Sequence, residues 1–506
     1  MTVHFSKSNL PKQLFINNEY VESRNTRKLV LRNPKDNSLV ADDVPLAGEL
    51  DVDVAVEAAE KAFPAWKKMS ATLRRGIMNK LADLIDAHRD ELAELTRITL
   101  GAPAATFGAF ESGIASECFR YYAGWTDKLP GESFPQDNGF MKIVRNEPLG
   151  VVAGIVPWNG PLASVGFKAG PALAAGNCFI LKPSEKTPLA SLALGHLIVE
   201  AGFPPGVFQV LSGDGTTGAL LASHMRIRKI SFTGSIATGK RIQEASAKSN
   251  LKRVTLELGG KSPAIIFDDC NVENAITWAA QAITTNTGQV CFAASRVYVQ
   301  EGIYDEFMAG YRAALEDFTK GAGDPDDSST VMGPLVDESQ FKRVRGFVER
   351  GQDGQGTLLA GGKQIGSKAS SLPRTAWKYA CLTEPQGFYI EPTIFTNVSS
   401  TAEIMTQEIF GPVVVVNTFK TEEEVINIAN ESEYGLMAGV FTQDINRAMR
   451  FASDLDSGMV GINCVSLLHL SVPFGGTKQS GVGRECGVAA MKAYTEPKTI
   501  LVNLLY

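Results

Sequence analysis

Cys291 follows a Gly-Gln turn in T-N-T-G-Q-V-C-F (Thr285 to Phe292). In its thiolate form such a side chain is a nucleophile. Glu257 stands in L-E-L-G-G-K (Leu256 to Lys261), between Leu256 and Leu258 at the end of an apolar run. A carboxylate placed there loses part of its hydration, which raises its pKa towards neutrality and suits a general base. Taken singly, neither residue decides anything. A lone cysteine is most often a small buried apolar residue, and a lone strand glutamate is often just ion-paired. Their meaning depends on the elements that hold them.

Those elements are legible between Gly150 and Gly260. Five short apolar runs occur in turn: V-V-A-G-I-V-P-W-N, N-C-F-I-L-K-P-S, G-V-F-Q-V-L-S-G, R-K-I-S-F-T-G-S and R-V-T-L-E-L-G-G. Helical stretches such as L-A-S-L-A-L-G-H-L-I-V-E-A-G separate them, a spacing that predicts a parallel sheet with crossover helices. The runs end at Asn159, Lys182, Gly213, Gly234 and Glu257. Ligands of open α/β sheets bind outside the carboxyl ends of the strands, so these residues are expected around one cleft. F-T-G-S-I-A-T-G (Phe232 to Gly239) follows a strand and opens a helix, where Gly234 permits close backbone approach and the free amides attract a phosphate. It lacks one position of G-x-G-x-x-G, and alone it is as often a plain turn. In K-P-S-E, Lys182 and Glu185 could hydrogen-bond the hydroxyls of an adenosine ribose. Glu185 would repel a 2′-phosphate, which favours NAD over NADP.

The rest of the chain narrows the class. Its 506 residues call for two or three domains, and 44% apolar with 21% charged residues is ordinary for a soluble globular protein. A formal net charge of −6 without a Lys/Arg block argues against nucleic acid. The seven cysteines (Cys118, Cys178, Cys270, Cys291, Cys381, Cys464 and Cys486) and five histidines are scattered, which supports neither a disulfide framework nor a metal site and suits a reducing, cytoplasmic setting. No secretory signal is read in Met1 to Pro11. The longest nearly uncharged run, Arg145 to Lys168, is too rich in Pro and Gly for a membrane helix. Lys12 to Glu22 alternates like a strand pair turning at Asn17-Asn18, and Val54, Ala58, Ala62 and Trp66 recur at helical spacing. A second α/β unit is predicted from Lys261 to about Leu470, with strands in P-A-I-I-F, S-R-V-Y-V and P-V-V-V-V and a helix over Tyr304 to Phe318. The apolar tail after Pro497 needs another strand to pair with.

P-W-N (Pro157 to Asn159), K-P-S-E, F-T-G-S, L-E-L-G-G-K, G-Q-V-C, Q-E-I-F-G-P (Gln407 to Pro412) and P-F-G-G-T-K-Q-S-G-V-G-R-E (Pro473 to Glu485) occur in this order. The ordered set spans nearly the whole chain and resembles the aldehyde dehydrogenase superfamily. The resemblance implies NAD-dependent oxidation of an aldehyde to a carboxylic acid. Cys291 would form a thiohemiacetal and then a thioester, and a positively charged nicotinamide ring nearby would favour its ionisation. Asn159 and the Cys291 N–H would form the oxyanion hole, Glu257 would activate the hydrolytic water, and Lys168 and Glu485 would relay protons. Trp158, Lys182, Glu185, Gly215, Gly234, Ser235, Glu408 and Phe410 match cofactor contacts, with Glu408 on the nicotinamide ribose and Gln340, in V-D-E-S-Q-F, as a further candidate. No metal is implied.

The implied architecture is a Rossmann-type cofactor domain (1–126 and 149–259), an α/β catalytic domain (260–479) and a β oligomerisation arm (127–148 and 480–506), assembled as a homodimer or homotetramer. The expected pocket lining is Phe167, Val290, Phe292, Leu468 and Phe474, which points to a hydrophobic or aromatic aldehyde, with His469 near enough in sequence to reach a polar substituent. Phe292, Gly160 and the V-S-L-L-H-L loop depart from the common family pattern. Two other readings fit the fold: transfer of the acyl group to coenzyme A, which the presence of Glu257 disfavours, and a silent scaffold, which intact Asn159, Glu257 and Cys291 disfavour.

Overall fold

The computed structural model describes residues 9–365 and 387–505, with the side chains of 104 and 105 left out. Cys381 lies outside these residues. Two large sheets organise the chain.

In the first sheet, five parallel strands stand in the spatial order Phe208–Val210, Cys178–Lys182, Val151–Ile155, Lys229–Thr233, Arg253–Glu257. These are the five apolar runs of the sequence. The sheet grows in one direction from Val151–Ile155 and then in the other from Lys229–Thr233, so the switch point lies between those two strands. Val151–Ile155 and Cys178–Lys182 are buried along their whole length, as strands covered by helices on both faces must be. Glu49–Lys68, Pro161–Ala174 and Leu189–Ala201 are among the covering helices. The hairpin Leu14–Ile16 and Glu19–Val21 extends one edge antiparallel. Its turn residues Asn17 and Asn18 have φ of 55° and 65°, a two-residue geometry that asparagine tolerates. Gly481–Val482 closes the other edge beside Arg253–Glu257.

Within Glu49–Lys68 the deeply buried face is Val52, Ala55, Val56, Ala59 and Trp66. Of the expected stripe, Trp66 is fully buried while Val54, Ala58 and Ala62 are only half-buried, so over most of its length the four-residue spacing traced the margin of the buried face.

The second sheet runs Thr357–Ala360, Thr393–Thr396, Val413–Phe419, Arg296–Gln300, Pro263–Ile266, Met437–Phe441, Met459–Ile462, parallel except at its first pair. The helix expected over Tyr304 to Phe318 spans Tyr304–Lys320. Only Leu258 to Ser262 separates the last parallel strand of the first sheet from Pro263–Ile266, so Glu257 stands where the two α/β units join. A third, antiparallel sheet pairs Thr495–Asn503 with Phe140–Pro148 along nine residues, and Phe140–Pro148 with Glu132–Asp137. Glu132–Asp137 is exposed throughout. No helix of the described residues is long and apolar enough to cross a membrane.

Candidate functional site

Cys291 is delivered by a strained loop. Helix Val272–Thr284 stops at Thr285, and Asn286, Thr287 and Gly288 follow with φ of 48°, 56° and 71°. A β-branched residue resists that region, so the surroundings must hold the loop in place. The Thr287 hydroxyl donates to Gly333 O at 2.8 Å. Gln289 Nε2 donates to Asn286 O at 2.9 Å, while its Oε1 accepts from Val336 N at 2.9 Å. Gly288 packs so closely on the Gly411–Pro412 backbone that a Cβ there would overlap it. This ties the cysteine loop to the end of Q-E-I-F-G-P.

Asn159 joins the same loop from the first unit. Its Nδ2 donates to Gln289 O at 2.9 Å, and its own carbonyl accepts from Asn286 Nδ2 at 3.0 Å. One N–H of the amide is thereby fixed, leaving the second available to another acceptor. The segments P-W-N and G-Q-V-C, far apart in sequence, are one hydrogen-bonded unit.

Glu257 ends its strand 2% exposed, and neither carboxylate oxygen has a hydrogen-bond partner. Burial holds its pKa well above the usual carboxylate range; the Glu485 carboxylate adds to this, and Lys168 and Arg484 oppose it. A Cβ on Gly475 would stand 2.6 Å from Glu257 Oε1, so glycine there leaves the carboxylate its space. Burial pushes the Cys291 thiol up as well, with further contributions from the Glu408 and Glu257 carboxylates. Burial in the protein alone therefore disfavours both the thiolate and the carboxylate. Ionising Cys291 needs a base or an added positive charge.

Behind Glu257 lies a buried polar cluster. Lys168 Nζ hydrogen-bonds Glu485 Oε1, and also donates to Thr233 Oγ1 at 2.7 Å and Ser231 Oγ at 3.3 Å. Ser231 Oγ donates to Glu485 Oε1 at 2.9 Å. Strand alternation puts Ser231 and Thr233 on one face. Helix Pro161–Ala174 brings Lys168, and a bridge between Phe474 and Glu485 brings the carboxylate.

Of the expected cofactor residues, Trp158, Lys182, Glu185, Gly215, Gly234 and Ser235 lie at or just after the carboxyl ends of strands of the first sheet, whereas Gln340 sits on helix Glu338–Gln352 and Glu408 and Phe410 precede strand Val413–Phe419 of the second. Lys182, 3% exposed, donates to Pro183 O at 2.8 Å and lies 3.7 Å from the exposed Glu185 carboxylate. Ser235 caps helix Ile236–Lys248, its Oγ accepting from Thr238 N at 3.4 Å. A Cβ at Gly234 would stand 2.5 Å from the Phe232 ring, so the glycine also makes room for that ring. Gly215 opens helix Gly215–Ser223 with empty space around its Cα. Glu408 Oε1 accepts from Gly260 N at 3.0 Å, and burial pushes its pKa up to about 7 against the Gly260 N–H, Arg343 and Lys261.

Phe410 holds φ at 61°, a costly value for a bulky residue. Its carbonyl accepts from Gln340 Nε2 at 2.7 Å, and its ring meets the Trp158 indole edge-on at 5.2 Å between centroids. Gln340 thus braces the Glu408–Phe410 segment, with its side-chain amide spent on the protein.

The apolar lining separates into two groups. Phe167, Phe292, Leu468, Phe474 and Cys291 pack in one cluster, with the Phe292 and Phe474 rings 5.6 Å apart edge to face. Val290 packs instead with the core of the second sheet. It neighbours Cys291 in sequence, but the turn sends the two side chains to different clusters. His469 is exposed beside Leu468.

Several contributors gave no signal in the sequence. Ser231, Thr233, Asn286 and Gln289 read as ordinary strand and turn residues. Lys186 lies over the Trp158 ring at 5.3 Å and pairs with Asp337 at 2.7 Å, bridging the two units. Glu111 is buried at the start of the helix that follows Asn159, its carboxylate bonded to that helix. Its partners lie some fifty residues away, beyond the reach of any local pattern. No group of His, Cys, Asp and Glu among the described residues could hold a metal ion.

This site sits in a chain whose relatives are well marked. Residues 20–500 match the aldehyde dehydrogenase family. An aldehyde dehydrogenase of Davidiella tassiana is 42% identical over 505 residues, covering 99% of this chain and 97% of that protein. Human retinal dehydrogenase 2 is 43% identical over 496 residues, covering 97% and 92%. The NAD+ complex of an aldehyde dehydrogenase from Bacillus cereus superposes with a TM-score of 0.91 at 40% identity, covering 99% of this chain and 100% of that one. With a family match over nearly its full length, and relatives above 40% identity that share its span, the chain belongs to the aldehyde dehydrogenase family.

Proposed function

We propose that the protein oxidises an aldehyde to a carboxylic acid with NAD, through a thioester on Cys291. The observation carrying this reading is the hydrogen bond from Asn159 to the Gln289 carbonyl, two residues before Cys291, beside a buried and unpartnered Glu257 carboxylate. Nucleophile loop and amide donor are thereby one hydrogen-bonded unit, and the Glu257 carboxylate, at the end of its strand, is close enough to act on the Cys291 thiol by its charge.

The chemistry divides among these residues. The Cys291 thiol first gives up its proton to a base; the thiolate sulfur then attacks the aldehyde carbon, and the second Asn159 N–H and the Cys291 backbone N–H stabilise the charge developing on oxygen. A bound NAD would supply the acceptor for the hydride that the thiohemiacetal carbon gives up. Glu257 takes a proton from water, whose oxygen attacks the resulting thioester. The carbon–sulfur bond then breaks, the acid departs and the thiolate is restored. Lys168 and Glu485, behind Glu257, pass the proton onward.

The residues around the strand ends fit a dinucleotide. The uncrowded Gly215 and the capped start of Ile236–Lys248 leave room and amide donors for phosphate. Lys182 with Glu185 suits ribose hydroxyls, and Glu185 disfavours a 2′-phosphate, so NADP is the weaker ligand. Trp158, Gly234, Ser235, Glu408 and Phe410 complete the binding surface, and Gln340 supports it from behind. The apolar cluster of Phe167, Phe292, Leu468 and Phe474 suits a hydrophobic or aromatic aldehyde.

We assign residues 1–126 and 149–259 to the cofactor domain, 260–479 to the catalytic domain, and 127–148 with 480–506 to an oligomerisation arm, although Gly481–Val482 also completes the edge of the first sheet. The exposed Glu132–Asp137 strand favours a dimer or tetramer. The six free cysteines among the described residues favour a cytoplasmic setting.

The test is turnover of an aliphatic and aromatic aldehyde panel, followed by absorbance of reduced NAD. Cys291→Ala should abolish oxidation and leave NAD affinity within about threefold of wild type. Retained oxidation would defeat the assignment.

A further inference from the structure

We infer that Glu111 is a positioning residue for the Asn159 amide, acting by fastening the first turn of the helix that Asn159 leads into. This rests on the reading of Asn159 as an oxyanion donor.

Helix Pro161–Ala174 has a weak start of its own. Its cap position is Gly160, which offers no side-chain acceptor, and Pro161 has no N–H. The next two N–H groups, of Leu162 and Ala163, would be left without partners at a buried helix end. Both instead donate to one oxygen of Glu111, Oε1, at 2.5 and 3.1 Å. Ser164 N then reaches back to Gly160 O at 3.1 Å and the regular ladder begins. Glu111 belongs to another helix, Ala109–Ala123, and is 1% exposed. A residue fifty positions away thus supplies the cap that the local sequence lacks.

What this cap holds makes it matter for chemistry. Asn159 is the second residue before Pro161, and the same helix carries Phe167 of the apolar cluster and Lys168 of the polar cluster. On the other side Asn159 is held by Asn286 and by Gln289 O. The amide therefore hangs between two anchors, the cysteine loop and the helix start, and Glu111 sets the second. An amide donor that drifts by a fraction of an ångström loses much of its value to a developing oxyanion.

The role belongs to the acceptor oxygen rather than to the charge. Burial pushes the Glu111 carboxyl up to about 8, with the Ala163 and Leu162 N–H groups pulling it down. Its second oxygen, Oε2, has no hydrogen-bond partner, a place where a proton can reside without disturbing Oε1. A glutamine, whose carbonyl oxygen accepts in the same place, should therefore serve.

The full-length enzyme tests this with four variants. Asn159→Ala is expected to lower kcat about 100-fold or more, the usual cost of one oxyanion donor; a kcat near wild type would overturn the reading of Asn159 itself. Glu111→Met, which keeps the length and loses the acceptor, should lower kcat at least tenfold with the NAD KM within twofold. Glu111→Gln should stay within threefold of wild type. In the double variant Glu111→Met/Asn159→Ala, the Glu111 change should cost kcat nothing further, because its effect passes through Asn159. If Glu111→Met does not fold, Glu111→Asp, which retracts the acceptor, takes its place in the cycle with a smaller expected loss. A Glu111→Gln loss as large as that of Glu111→Met, an additive double variant, or an unchanged kcat in Glu111→Met each overturns the inference while leaving Asn159 in its role.

Discussion

Lys168 and Glu485 stand 317 positions apart and share a hydrogen bond with almost no solvent at either side chain. Helix Pro161–Ala174 carries the ammonium and the segment after Gly481–Val482 carries the carboxylate, so the pair pins the late chain onto the first sheet. Removing one partner of a buried pair leaves an uncompensated charge, at a cost of about 3–5 kcal/mol. Glu485→Leu should therefore lower Tm by several degrees. Lys168→Met/Glu485→Leu should lower it by clearly less than the sum of the two single changes. Calorimetric unfolding checks this, and strict additivity would show the two groups to be energetically independent.

Glu257 gives a pH signature with a defined sign. Its carboxyl is held neutral well above the usual range by burial and by Glu485. The base form accumulates only as pH rises through that elevated pKa, so thioester hydrolysis should climb with pH along a limb displaced upward from about 4.3. Lys168 opposes the shift, so Lys168→Met should displace the limb further upward. Glu257→Gln should erase it and let an acyl adduct accumulate on Cys291, seen as a mass increase after one turnover. A limb left in place by Glu257→Gln would assign the base to another group.

Much of this was legible in the sequence for a physical reason. Parallel strands buried on both faces must be nearly continuous apolar runs, so all five parallel strands of the first sheet stood out, and Asn159, Lys182, Gly234 and Glu257 could be read as their ends. The family motifs then gave Cys291 its neighbours. Side-chain direction was less accessible. Val290 was expected in the pocket with Phe292, yet it follows a loop with three successive left-handed residues and packs, partly buried, against the second core. The stripe of Val54, Ala58, Ala62 and Trp66 reached the deepest face of its helix only at Trp66, because small residues at regular spacing do not show which side is covered. Glu111, Ser231 and Lys186 were invisible for a further reason: each acts through a partner brought to it by the tertiary fold.

Lys261, just past Glu257 in L-E-L-G-G-K, is a liability that can be measured. It is 1% exposed and its Nζ finds no hydrogen-bond partner. Burial, with Arg296 adding to it and Glu408 opposing, lowers its pKa to about 7. The folded chain therefore binds this proton less well than the unfolded chain, whose lysines titrate near 10.4. Between those values the unfolded state holds more protons, so this residue makes stability rise with pH above 7. Below pH 7 its full cost is present. Lys261→Met keeps the volume and removes the orphaned amine, a gain of about 1–3 kcal/mol by the cost of an unsatisfied buried polar group. The variant should unfold at a higher temperature than wild type at pH 6.5, and the gap should narrow as pH is raised to 9. Equal unfolding temperatures at pH 6.5, or a gap that widens with pH, would show that Lys261 is satisfied in solution and that its ammonium is no burden to the fold.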